Sequence, residues 1–222
     1  WTEELDWFNR AGAHAYNVGR SHLPSVDHTI TWIAKAESRA GFPEVVWHSL
    51  DGGNQGSPNT WLRDGLSVIF TRGLDRQQLP NFSNLEFNTM WISSGGGHVP
   101  AYVDQFWNNG SSGPSVMTGT GHNPQTIHCN VIVGGMARGL VIERLPLGWA
   151  RAFALLMLDY SEVGGWGQFA TEYRVMGEPG QRTWIGAPLQ PEVTHAEFIV
   201  AGQNRFDVTV MDPENEAGVP NA

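Results

Sequence analysis

The chain has 222 residues, with 13 Lys and Arg against 22 Asp and Glu, a formal net charge of −9, eight His and one Cys. One Cys excludes a disulfide scaffold, and the acidic balance argues against strong binding of nucleic-acid phosphates. No apolar stretch reaches the roughly 18–20 residues of a membrane span, and a hydrophobic fraction of 41% excludes a disordered chain. We therefore expect a globular body without a membrane partner.

The first 43 residues predict two helices. In residues 2–19, Thr2 is a suitable N-cap and Leu5, Phe8 and Gly12 recur at helical spacing. A second helix is expected from Ser25 to about residue 40, because its apolar side chains fall on one side and Gly41 and Pro43 follow it. The chain is therefore expected to open with a helical part.

From residue 44 onwards the pattern favours strands. Alternating or buried apolar runs predict strands at 44–48, 66–71, 85–92, 127–133, 139–144, 169–175, 197–200 and 206–211. One convincing helix is predicted at 148–160 and a short one at 99–107, while turn residues predict loops at 51–59 and 108–121. The glycine-rich stretch 134–139 is interpreted as a tight connection between two strands.

These elements predict an α+β fold, with N-terminal helices followed by a mainly antiparallel sheet and one further helix. Strands do not alternate regularly with helices in this reading, so a doubly wound parallel sheet is not expected. We expect a single domain over 1–222, or a segment of a larger polypeptide. Its parts would be helical (about 1–43), mainly β (about 44–211) and an extended polar tail (212–222).

A search for catalytic and metal-binding motifs gives no specific signal. The sequence has no His-Glu-x-x-His motif, and the closest His pairs lack the spacing that places two rings on one helix face. His48 and Asp51 form the best local pair of imidazole and carboxylate. Cys129 lies in an apolar alternation and is interpreted as a small core residue. We predict no catalytic residue, no metal site and no cofactor.

Ten Trp residues leave a sugar-binding alternative open, because indole rings near loops provide stacking platforms. The residues that would contact a substrate in this alternative are Trp47, His48, Asp51, Trp61, Asp104 and Trp107. Trp is also an ordinary core and interface residue, so packing explains the same observation. The alternative function is a secreted hydrolase or lyase acting on polysaccharide, or a glycan-binding module.

The preference for Arg over Lys favours a different hypothesis about the function. The chain has 12 Arg and a single Lys, Lys35, and only 16% charged residues. Interface cores are enriched in Arg and aromatic residues and depleted in Lys, although GC-rich coding gives the same bias. Together with a first residue other than Met, this predicts a non-catalytic assembly protein with homo- or hetero-oligomeric contacts. Its most concrete form is a subunit or processed segment of a viral capsid, located in the virion.

Overall fold

The computed structural model describes ten stretches of the chain: residues 6–15, 24–49, 58–72, 89–94, 113–120, 125–164, 166–186, 192–195, 208–212 and 217–218. The chain divides into two compact units, Trp1–Gly186 and Ala187–Ala222.

A six-stranded sheet forms the centre of the first unit. Its strands are β1 (Arg10–Ala15), β2 (Glu44–His48), β3 (Val68–Arg72), β4 (Met90–Ser94), β5 (Val116–Gly119) and β6 (Arg174–Met176). They lie in the order β2-β1-β3-β4-β5-β6; the pairs among β1 to β5 are parallel, and β6 pairs with β5 in the antiparallel sense. All five residues of β3 and of β4 are buried, as expected for parallel strands covered on both faces.

Helices lie between and after these strands. They are α1 (Pro24–Ala40), α2 (Pro58–Arg63), α3 (Thr126–Ala137), α4 (Leu147–Tyr160) and α5 (Trp166–Glu172), with a 3-10 turn at Asp6–Asn9 and a π-helical turn at Arg138–Ile142. One face of the sheet packs against α1 and α3 in a core that includes Ile33, Phe70 and Ile132, and α4 packs on α3 in the same core. Side chains alternate between the faces of a strand, so Ala13 lies in this core whereas His14 lies on the other face, where it contacts Trp61 of α2.

Small residues allow α3 and α4 to pack closely. A Cβ atom added at Gly135 would lie 2.7 Å from the Cα of Ala154, and one added at Gly139 would lie 2.9 Å from the Cα of Ala150. Real Cβ atoms do not approach other atoms this closely, so the contact requires glycine at both positions. The glycine-rich stretch 134–139 therefore belongs to a helix contact, and its interpretation as a connection between strands was wrong.

The predicted α+β fold was also wrong: the structure is an α/β fold with a mixed, mostly parallel sheet and interleaved helices. The first predicted helix, at 2–19, contains the 3-10 turn and β1 instead. Ala11 and Ala13 suit a helix by propensity. However, their side chains are fully buried under α1 in the middle of the sheet, and this packing overrides the local preference.

Two further strands were predicted where the chain is helical. The stretches 127–133 and 139–144 form α3 and the π-helical turn, because a short apolar run gives no periodicity that separates a buried helix from a buried strand. The predicted strand at 169–175 is divided between α5 and β6, and β5 lies inside the predicted loop at 108–121.

Other predicted elements are confirmed. The second helix, the strand at 44–48 and the helix at 148–160 correspond to α1, β2 and α4, and the predicted strands at 66–71 and 85–92 overlap β3 and β4. The predicted helix at 99–107, the strand at 197–200 and the first seven residues of the loop at 51–59 lie outside the described residues.

The second unit contains a three-stranded sheet in which β8 (Val208–Asp212) lies between β7 (Glu192–His195) and β9 (Ala217–Gly218). Both pairs are antiparallel, and β8 overlaps the strand predicted at 206–211. Among the helices that the structure describes, none combines the length and the apolar character needed to cross a lipid bilayer.

Candidate functional site at the carboxyl edge of the sheet

Five parallel strands end at one edge of the sheet. Because β2 lies on one side of β1 while β3, β4 and β5 lie on the other, the order reverses between β1 and β3. In open α/β sheets, ligands bind outside the carboxyl ends of the strands at such a reversal. Polar side chains occupy this edge: His14, His48, Arg72 and Ser94 lie at or next to the ends of β1 to β4.

On the face that contacts α2, two imidazole rings lie side by side. His14 and His48 are register partners on neighbouring strands, and their ring centroids are 5.1 Å apart at an interplanar angle of 33°. The Trp61 ring meets His14 edge-on at 5.6 Å. Burial, with a smaller contribution from His48, lowers the pKa of His14 to about 3. His14 is therefore neutral at physiological pH.

A hydrogen bond between β3 and β4 lies on the same face of the sheet as the two imidazole rings. Trp91, which is fully buried, donates its Nε1–H to the Thr71 hydroxyl at 2.8 Å. Thr71 is in register with His14 across the β1–β3 pair. The buried Trp91 indole therefore fixes the position of the Thr71 hydroxyl, which lies next to the imidazole pair.

On the opposite face, Arg72 connects three elements. Its guanidinium donates hydrogen bonds to the Asn130 side chain at 2.8 Å, to the Thr126 carbonyl at 3.3 Å and to the Ser94 carbonyl. The residue is 2% exposed, and burial lowers the pKa of its guanidinium while Cys129 acts in the opposite direction. Arg72 therefore ties the end of β3 to the end of β4 and to the first turns of α3.

Cys129 lies beside this guanidinium, within α3. Its side chain is buried, and burial raises the pKa of the thiol although Arg72 opposes that shift. A protonated and buried thiol is a poor nucleophile. The structure thus places Cys129 in the packing of α3 against the sheet.

The ends of β4 and β5 are joined by a small polar network. The Thr118 hydroxyl accepts a hydrogen bond from the Ser93 amide at 3.0 Å and lies 2.8 Å from the Tyr173 hydroxyl. Burial raises the pKa of Tyr173, so its phenol remains protonated. These contacts fix the edge between β4 and β5 in one arrangement.

The sequence-predicted site residues are only partly brought together. His48 and Trp61 lie near each other around His14, whereas Trp47 lies on the other side of β2 and packs against the core. Asp51, Asp104 and Trp107 lie outside the described residues. His14 and Arg72 were missed, since the first was assigned to a helix. The sequence signal that could have identified both residues was a polar side chain at the end of a buried strand.

The arrangement of strands and helices defines the chain as an α/β protein with a mixed, mostly parallel sheet. No protein-family model matches the sequence, and comparison with curated proteins gives no match either. Among solved structures, the chain is similar to the Arg-specific cysteine proteinase gingipain R, with a TM-score of 0.66 and 13% identity over 93% of this chain. It is also similar to the complex of Porphyromonas gingivalis RgpB pro- and mature domains (TM-score 0.67, 14% identity, 93% of this chain). The chain spans 55% and 56% of the lengths of these two neighbours.

These neighbours correct the functional prediction. The similarity to proteinase structures contradicts the prediction of a viral capsid subunit in a virion. It equally contradicts the alternative prediction of a polysaccharide-active enzyme or a glycan-binding module. The structure gives the physical reason. Trp61 and Trp91 are 5% and 0% exposed, so these indoles serve packing and do not present sugar platforms.

Proposed function

We propose that this chain is a proteinase-type domain that binds a polypeptide at the carboxyl edge of its six-stranded sheet. The single observation that carries the proposal is this polar edge, at the reversal of strand order, in a fold similar to that of proteinases over 93% of the chain. A polypeptide offers amide donors and carbonyl acceptors along its length. The edge offers matching groups, including the neutral imidazole of His14 and the half-buried His48.

The chemistry of the described edge favours recognition over thiol catalysis. The Cys129 thiol is buried and its pKa is raised, so it does not supply a thiolate at neutral pH. Arg72 is committed to three oxygen acceptors within the fold. Among the described residues of the edge, the imidazoles of His14 and His48 lie on the α2 side, away from Arg72 and Cys129.

The charge of the chain indicates which polypeptides are favoured. With a formal net charge of −9, the domain attracts positively charged segments over long range, and that attraction weakens as salt is added. We therefore expect basic, extended peptides to bind more tightly than acidic peptides of the same length.

The test is a binding and cleavage assay on the full chain. Fluorescent unstructured peptides, one basic and one acidic, are titrated with the protein at low and high salt, and the anisotropy is measured. Mass spectrometry of the same mixtures reports any new peptide ends. We expect saturable binding of the basic peptide, weaker at high salt, and no cleavage that depends on Cys129.

Two results would contradict these statements separately. If neither peptide binds at low salt, the proposal of a polypeptide-binding edge is wrong. If cleavage occurs and Cys129→Ala abolishes it while the variant keeps its thermal stability, then the assignment of Cys129 to packing is wrong.

A further inference from the structure

A groove of about 440 Å³ lies between helices α1, α3 and α4. This volume falls within the range of roughly 300–1,000 Å³ that is usual for small-molecule sites. Trp32 of α1, Gly134 of α3 and Met157 of α4 line the groove, one from each helix. All three helices also contribute to the hydrophobic core. The walls of the groove are therefore held in place by the fold before any ligand binds.

The indole ring of Trp32 forms an apolar wall of this groove. Trp32 is 42% exposed, although large aromatic side chains normally bury most of their surface. Opposite the ring, Gly134 has no side chain, and an atom at its Cβ position would lie 4.0 Å from Cζ3 of Trp32. One edge of the indole is thus in reach of the backbone of α3, while a large part of the ring stays open to a second flat ring.

Arg138 brings a positive charge to the same groove. Its Nε–H donates to a carboxylate oxygen of Glu143 at 3.2 Å, and its guanidinium carbon lies 5.6 Å from the centre of the Phe153 ring. These two contacts orient the guanidinium, and half of the side chain is exposed. The terminal nitrogens of Arg138 are therefore available to a ligand that accepts hydrogen bonds.

The charge of the lining is opposite to that of the chain. None of the described residues that line the groove is Asp or Glu, although the chain has a formal net charge of −9. We propose that the groove binds a small aromatic carboxylate, whose ring stacks on Trp32 and whose carboxylate accepts hydrogen bonds from Arg138. Guanidinium groups bind carboxylates in a forked geometry, and ring stacking adds to the burial of apolar surface.

This inference does not depend on the proposed polypeptide binding. Neither His14 nor His48 lines the groove, and a small aromatic carboxylate has no peptide backbone for the carboxyl edge to recognise. A failure of peptide binding therefore leaves the groove untouched, and a failure of carboxylate binding leaves the carboxyl edge untouched.

The experiment is a calorimetric titration of the full chain with naphthoate, and with naphthylmethanol as an uncharged probe of the same ring. Trp32→Ala is expected to weaken naphthoate binding on the order of tenfold, because the stacking surface is lost. Trp149→Ala is the matched control, since Trp149 is 70% exposed on α4 and does not line this groove. Arg138→Met should weaken naphthoate binding about fivefold and leave naphthylmethanol binding unchanged. Arg63→Met, which breaks a comparable surface pair with Asp64 at 3.2 Å, should change neither.

The inference is overturned if the wild-type chain binds no naphthoate at about millimolar concentration, or if Trp32→Ala binds it as tightly as Trp149→Ala does. It is equally overturned if Arg138→Met weakens both probes to the same extent, because the carboxylate is then not recognised. Self-association that Trp32→Ala abolishes, without naphthoate binding, would assign the groove to a second copy of the chain. Trp32 and Arg138 are exposed, so both variants are expected to fold, and thermal melts check this.

Discussion

Replacing Gly135 by Ala should weaken the packing of α3 on α4, whereas the same change at the neighbouring Gly134 should stabilise the protein. A Cβ atom at position 135 would lie 2.7 Å from the Cα of Ala154 and 2.9 Å from its Cβ. Carbon atoms pack best at about 3.5–4.0 Å, so the two helices would have to separate by roughly 0.8 Å. Such overpacking costs about 1–3 kcal/mol.

Gly134 provides the matched control on the same helix. The nearest atom to a Cβ there is Cζ3 of Trp32 at 4.0 Å, an ordinary van der Waals distance. Ala has a helix propensity about 1 kcal/mol better than Gly, and both variants receive this gain. Gly134→Ala should therefore be more stable than the wild type by up to about 1 kcal/mol, while Gly135→Ala should be less stable by up to about 2 kcal/mol.

Urea unfolding followed by far-UV circular dichroism measures both changes, provided that the slope of the transition is unchanged. In thermal melts the two variants should differ by several degrees, at about 2–4 °C per kcal/mol for a chain of this size. The close contact between α3 and α4 would be refuted if Gly135→Ala were as stable as Gly134→Ala.

Three further substitutions test buried polar groups. Glu37→Gln should raise Tm increasingly as the pH rises above the ordinary value of 4.5. Burial raises the pKa of Glu37, so above pH 4.5 the carboxyl ionises in the unfolded chain while the folded state keeps it protonated, and the folded state loses stability as the pH rises. Melts at several pH values, with the exposed Glu143→Gln as control, check this. Arg72→Lys should cost about 2 kcal/mol or more in urea unfolding, because an ammonium cannot span the three acceptors that the guanidinium reaches. Tyr173→Phe should cost about 1 kcal/mol, and an unchanged urea midpoint would contradict the bond to Thr118.

Elements with strong local signals were predictable from the sequence. In α1 the apolar positions Val26, Ile30 and Ile33 recur on one side and are buried in the structure, and the helix ends where Gly41 and Pro43 follow. The same reasoning located α4 and β2. In these segments the local preference and the tertiary packing agree, so a single sequence was sufficient.

Elements decided by packing were not predictable. The six residues of β1 are Arg, Ala, Gly, Ala, His and Ala, none of which favours a strand; they form one because small side chains fit between the sheet and α1. In α3 nearly every residue from Ile127 to Ala137 is apolar or small. Its helical state is therefore fixed by contact with α4 and the sheet, not by an amphipathic pattern.

The candidate site was predictable only in part for the same reason. His48 and Trp61 could be selected from the sequence as a polar and an aromatic residue near a loop. Their relation to His14 depends on the pairing of β1 with β2, which lie far apart along the chain. Without that pairing, neither the imidazole pair nor the polar carboxyl edge can be recognised.

The most direct test of the proposed function is hydrogen–deuterium exchange of the full chain with and without a basic unstructured peptide. If the polypeptide binds at the carboxyl edge, amide protection should increase at the ends of β1, β2, β3 and β4, near His14, His48, Arg72 and Ser94. The exposed side of α4 around Trp149 and Tyr160 should remain unchanged. Protection confined to α4, or no change anywhere at a saturating peptide concentration, would contradict the assignment of the binding edge.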